Sequence, residues 1–144
     1  MRYLLDTNIA SHIIKGDIPE IRRRLVEIPM HSVAVSAVTK GELQYGVAKR
    51  GFPEGLSRRV SEFLLRVEVL PWTSEVAAVY GRLRSACEAA GVSLCAMDMM
   101  IAAHARALQQ EAVQQQSQSV TLVTRDKAFF RIPPNEEMLI ERWA

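Results

Sequence analysis

Residues 3–8 read Tyr3-Leu4-Leu5-Asp6-Thr7-Asn8, a short apolar run that stops at an acid and gives way to a helical pattern. An acid directly after a buried run places a carboxylate on the C-terminal lip of a central strand. In open α/β sheets, ligands bind at that lip, where strand order reverses. Any further acids that reach the same edge would meet Asp6 there.

The rest of the chain alternates strand and helix. Ile9, Ile13 and Ile14 keep helical spacing and Gly16 is a stop. Pro19 suits the first turn of a second helix, with Ile21, Leu25 and Ile28 on its apolar side. Arg22, Arg23 and Arg24 fan around that helix as a solvated face, with a phosphate-contacting patch as the alternative. Val33-Ala34-Val35 forms a second strand running into Ser36-Ala37-Val38, and Thr39 to Glu42 opens a helix to about Lys49. Leu56, Val60, Phe63, Leu64 and Val67 repeat at helical spacing, and Val67, Val69 and Leu70 offer a third strand. Thr73 or Ser74 caps a long helix that Gly91 ends. Val92 to Ala96 is a connector, and Asp98 begins another helix. The Gln-rich segment Gln109 to Ser119 reads as helix first, then loop. Val120 to Val123 is a fourth strand and Met138-Leu139-Ile140 a short last one. This alternation implies βαβ units, a parallel sheet covered on both faces, and a single three-layer α/β domain over residues 1–144.

Composition fits that class. The chain has 144 residues, 49% of them hydrophobic and 24% charged, with a net charge of +2. That is a globular balance, weakly basic and compatible with nucleic acid without pointing to it. The start of the chain does not read as a signal peptide and no apolar window is long enough for a membrane span, so a cytoplasmic protein is expected. Cys87 and Cys95 have no histidine at metal spacing, and both are expected to be reduced and mostly buried.

Asp6 and Asp126 stand at the ends of the first and fourth strands, and Glu42 lies near the start of the helix after strand two. In a parallel sheet, strand C-ends and the following helix N-ends share one edge, so these three belong to one lip. Asp98, at the start of the helix before strand four, is less tightly constrained. Each acid alone has an ordinary role. Asp6 and Asp126 can each cap the next element, Thr39 and Glu42 match a Thr-x-x-Glu capping box, and Asp98 can complement a helix dipole. Together, carboxylates on one lip repel one another unless a cation sits among them or some are protonated. Oxygen ligands without His or Cys suit Mg²⁺ or Mn²⁺, and such a site can hydrolyse phosphodiesters. His12, His31 and His104 are expected in core or surface positions, His12 and His31 without partners. Met97, Met99 and Met100 are expected to pack.

These residues resemble the PIN-domain nucleases, specifically a VapC-type toxin of a toxin–antitoxin pair, over nearly the full length. The matching segments are Leu4-Leu5-Asp6-Thr7-Asn8; Ser36-x-x-Thr39-x-x-Glu42-Leu43 with Tyr45-Gly46; Asp98 to Ala105; and Leu122-Val123-Thr124-Arg125-Asp126 with Phe129. The resemblance implies a five-stranded parallel sheet in the order 3-2-1-4-5, flanked by helices. It implies a metal-dependent endoribonuclease, with Asp6, Glu42, Asp98 and Asp126 as the acidic metal site. Thr7 and Thr124 match positions that orient an acid or a metal-bound water, and Asn8 is a weaker match. A cognate antitoxin covering the groove and a homodimer are also implied, and the Phe-containing segment 52–67 is a candidate for either surface. Arg125, Lys127 and Arg131 are candidates for RNA-backbone contacts. Two segments depart from the family pattern. They are Val92-Ser93-Leu94-Cys95, which is less polar than the usual lead-in to the third acid, and the long Gln109 to Ser119 link. The alternative readings are a catalytically silent PIN module that binds RNA or protein, and an aspartyl-phosphate phosphotransfer domain. The phosphotransfer alternative is disfavoured because Asn8 stands where a phosphatase needs a second Asp.

Overall fold

The computed structural model describes residues 2–144. Five parallel strands form one sheet: β1 (Arg2–Leu5), β2 (Val33–Ser36), β3 (Glu68–Leu70), β4 (Val120–Thr124) and β5 (Leu139–Arg142), in the order β3-β2-β1-β4-β5. Six α-helices connect them among the described residues: α1 (Thr7–Lys15), α2 (Pro19–Val26), α3 (Ala37–Lys49), α4 (Glu54–Arg66), α5 (Ser74–Ala89) and α6 (Ala96–Gln114). None is long and apolar enough to cross a membrane.

β1 is the centre of the sheet because both of its neighbours offer continuous apolar runs. Leu5 stands opposite Val35 on one side and Val123 on the other. Strand side chains alternate between faces, and the alternation divides the protein into two cores. Leu4, Ala34 and Leu122 pack with Val79, Leu83 and Ile101 from α5 and α6. Leu5, Val35 and Val123 pack with Ile9, Leu43 and Phe63 from α1, α3 and α4. Both Leu4 and Leu5 are fully buried, as expected for a parallel sheet covered on both faces.

Several boundaries differ from the sequence expectation. β2 ends at Ser36, whose hydroxyl accepts the Val38 N–H and caps α3. The helix therefore begins two residues before Thr39, and the expected Thr39–Glu42 capping box does not form. α6 begins at Ala96, two residues before Asp98. β5 is shifted towards the C-terminus because its anchor is Trp143, buried against Tyr3 with the Arg24 guanidinium over its ring. Cys95 is exposed, whereas Cys87 is buried as expected.

His104 of α6 is buried and its Nδ1 lies 2.8 Å from Ser36 Oγ, tying α6 to the junction of β2 and α3. Burial lowers its pKa to about 4. Above about pH 6.5 both folded and unfolded chains hold a neutral imidazole at this position. Below it, the unfolded chain gains a proton that folded His104 refuses, so stability falls as the pH drops towards 4. Urea unfolding of wild type and His104→Gln should show wild type losing on the order of 3 kcal/mol more between pH 7 and pH 4. Parallel pH profiles would refute this.

Candidate active site at the strand lip

Asp6 is the N-cap of α1 and is only 2% exposed. Its Oδ1 accepts the Ile9 N–H at 2.8 Å and its Oδ2 accepts the Thr124 hydroxyl at 2.5 Å. Its own N–H donates to the Val123 carbonyl at 3.0 Å. The cap thus joins β1, α1 and the end of β4. Burial pushes the Asp6 carboxyl up to about 6; the bonds from Thr124 and Ile9 pull down, and the nearby charges of Asp98 and Asp126 push up.

Thr124 also organises Asp126. Its oxygen accepts the Asp126 N–H at 3.0 Å, and Asp126 Oδ1 accepts the Ala128 N–H, capping a 3₁₀ turn over Lys127–Arg131. Asp126 itself is exposed. Glu42 is half-buried and is held from α1: the Thr7 hydroxyl donates to its Oε1 at 2.5 Å. Thr7 Oγ1 also lies 2.9 Å from Thr39 Oγ1. With its single proton committed to Glu42, Thr7 must accept from Thr39. A three-membered chain, Thr39 to Thr7 to Glu42, therefore links α3 to the residue after Asp6. Sequence reading missed this use of Thr39; the available signal was its position one helical turn before Glu42, on the same face. Asp98 lies half-buried in the first turn of α6.

Asp98 and Asp126 are thus close enough to Asp6 for their charges to act on it, and Glu42 is tied to the same end of α1 through Thr7. Among the described residues, however, no three His, Cys, Asp or Glu side chains stand as a ready cage for a metal ion. A cavity of about 630 Å³ bordered by β3, α5 and α6 contains none of the four acids.

The remaining candidates are dispersed. Asn8 is exposed in the first turn of α1, and Lys127 and Arg131 are exposed in the 3₁₀ turn. Arg125 is partly buried and reaches back to α1, where its Nη1 lies 3.2 Å from His12 Nε2. His12 is therefore not the partnerless histidine expected, since it also contacts Asp17 at 2.9 Å. The second contact is local in sequence and the first crosses from α1 to the residue just past β4, which no pattern within α1 reveals.

The PIN domain family model matches residues 3–134. The chain belongs to the PIN domain family. Among its members it is similar to "Ribonuclease VapC2" of Rickettsia felis, at 32% identity over 99% of this chain and 98% of that one. It is 31% identical to "tRNA(fMet)-specific endonuclease VapC" of Salmonella typhimurium over 99% and 98% of the two chains. The fold matches the solved structure of VapBC2 from Rickettsia felis bound to a DNA fragment from its promoter, with a TM-score of 0.82, 30% identity and complete coverage of both chains. The resemblance to VapC-type PIN domains therefore holds across the chain, and the strand order 3-2-1-4-5 is that of the PIN-like fold.

In this PIN domain, Asp6 is charged at a cost. Its folded pKa of about 6 lies above the ordinary value of 3.8. The penalty is absent below about pH 4, where both states are protonated, and complete above pH 6. Asp6→Asn keeps an oxygen for the Ile9 cap and removes the charge. The amide nitrogen cannot accept from Thr124, which costs the variant stability at every pH, but its stability relative to wild type should rise by on the order of 2 kcal/mol between pH 4 and pH 7.5 in denaturant unfolding. A difference that does not change with pH would contradict this.

Proposed function

We propose that this chain is the toxin ribonuclease of a VapBC-type toxin–antitoxin module, a metal-dependent endoribonuclease acting through one nuclease domain spanning residues 1–144. The observation that carries the reading is the buried Asp6 carboxylate, desolvated and repelled by Asp98 and Asp126, with Glu42 held by the residue that follows it. A buried acid under that repulsion is relieved by a cation. The relatives named as a ribonuclease and as a tRNA-specific endonuclease supply the substrate class.

The donor set fits a hard divalent ion: carboxylate oxygens, no thiolate and no imidazole among the four. Mg²⁺ is commonly held by one or two carboxylates together with waters and substrate phosphates, so a three-acid cage is not required before RNA arrives. Asp6, Glu42, Asp98 and Asp126 would hold the ion. When bound, it supplies charge neutralisation of the scissile phosphate and acidifies an attacking water. The chain's own residues prepare for this. Thr124 fixes the Oδ2 of Asp6 and, through the Asp126 N–H, the start of the next acid's loop. Thr7, backed by Thr39, fixes Glu42. Both hydroxyls act as second-layer donors that leave further lone pairs on the carboxylates free.

A cognate antitoxin is the proposed protein partner, supported by the VapBC complexes to which the fold is similar. A homodimer is proposed from the family resemblance. Tyr45, Phe52 and Leu65, on α3, the following loop and α4, are large and exposed, and they offer apolar surface for such contacts. The absence of a preformed cage favours one second reading, a PIN module that binds RNA without cutting it.

Two measurements separate these readings. Purified wild type should cleave RNA with Mg²⁺ or Mn²⁺ present, stop with EDTA and resume when metal is restored, while Asp98→Asn should lose at least about a hundredfold in rate. Independently of activity, Mg²⁺ at tenfold over its Kd should stabilise wild type at pH 7.5 by about 1.4 kcal/mol and leave Asp6→Asn unmoved. RNA binding without cleavage, and no thermal response to metal, would establish the silent module instead.

A further inference from the structure

Arg125 has no carboxylate partner among the described residues. Arg125 stands between Thr124, which holds Asp6, and Asp126. Its polar contact is to His12 Nε2, 3.2 Å from Nη1. A guanidinium can only donate, so Nε2 is the bare acceptor of the imidazole. The ring proton is then on Nδ1, which lies 2.9 Å from Asp17 Oδ1 and donates to it. That bond is the main reason the exposed Asp17 carboxyl lies below its ordinary range. The order is fixed by donor count: Arg125 gives to His12, and His12 gives to Asp17.

This arrangement holds the guanidinium without neutralising it. The nitrogen contacting it serves as an acceptor, and among the described residues no ion pair joins Arg125 to an acid. Arg125 Nε is buried and has no hydrogen-bond partner there. An unpaired buried donor is costly and calls for an explanation in a native protein. His12 lies six residues beyond Asp6 on α1, roughly 9 Å along the helix axis. Arg125 is therefore placed beside the acidic centre and not over it. Beyond His12 the surface continues as a groove of about 280 Å³, lined by His12, Arg22 and Arg66 and by no acid.

We propose that His12, steadied by Asp17, is a positioning residue that holds Arg125 as the clamp for an RNA backbone phosphate flanking the one that is cut; this rests on the nuclease reading of the acidic lip. An uncompensated guanidinium with spare N–H donors is suited to a phosphate, which it can engage at two oxygens. The role is positioning through Arg125, so it belongs to RNA affinity and not to the chemical step.

The test measures binding of fluorescently labelled bulk tRNA by full-length protein in a non-cleaving Asp98→Asn background, across a salt series. Arg125→Gln and His12→Phe should each weaken binding about fivefold to tenfold. Each should also flatten the slope of log affinity against log salt by about 0.7–0.9, the loss of one phosphate contact. The double variant should lose no more than either single one, because both remove the same contact. His12→Gln, whose amide oxygen can still accept from Arg125, should restore most of the affinity and the slope.

The proposal is overturned if Arg125→Gln changes neither quantity, or if His12→Phe leaves both at wild-type values while Arg125→Gln shifts them. It is also overturned if His12→Phe weakens binding with an unchanged salt slope, which is what loss of structure alone would give. Cleavage of total RNA by the parent chain is the separate control. If wild type cuts nothing, or Asp6→Asn cuts equally well, the nuclease reading itself fails and takes this one with it.

Discussion

The arrangement at the lip depends on one desolvated carboxylate. Asp6 leaves β1, starts α1 and receives the hydroxyl that ends β4, so one residue fastens three elements at the point where the strand order reverses. Burying a charge is costly unless it is hydrogen-bonded, and here a backbone N–H and a threonine hydroxyl offset much of that cost. The positive end of the α1 dipole favours the same charge. These contributions do not cancel the burial and the repulsion from Asp98 and Asp126, as the raised pKa records. The fold keeps a carboxylate ionised where an apolar residue would pack at lower cost. Stability surrendered in this way at one point marks a functional site more clearly than the presence of an acid does.

Glu42 illustrates a different means of control. Asp6 is fixed by burial, but Glu42 is half-exposed and would otherwise sample many rotamers. The Thr39 and Thr7 hydroxyls remove that freedom from behind. The lip therefore combines a rigid, dry acid with one that is wet but steered, while Asp126 is exposed at the mouth of its loop. Such grading leaves Glu42 and Asp126 within reach of solvent.

Much of this was readable from the chain because it depends on local signals. Leu4, Leu5, Val33 to Val35 and Val120 to Val123 are continuous apolar runs, which is how doubly covered parallel strands look in sequence. The acids stand where those runs stop, so topology alone carried them to a common edge. What sequence could not show depended on distant partners. Thr39 looked like a cap because Thr-x-x-Glu is a local pattern; Ser36 displaced it by capping first, freeing Thr39 for Thr7. His12 looked isolated because its partner Arg125 lies 113 positions later. The apolar run Met138-Leu139-Ile140 points to a slightly earlier β5 because the strand's register is set by Trp143 against Tyr3, an aromatic contact between residues far apart in sequence.

The strand order also has a consequence during synthesis. β1 is made first and is the middle of the sheet, yet its β4 neighbour comes near the end, and the Thr124–Asp6 bond spans 118 positions. At ordinary elongation speeds that separation takes roughly 6–24 s to translate. For that interval a nascent chain on the ribosome carries Asp6 without its hydroxyl donor and an open edge on β1. The buried carboxylate is secured only once β4 has been made, so a chain that stops short of Thr124 carries Asp6 without the bond that fixes it.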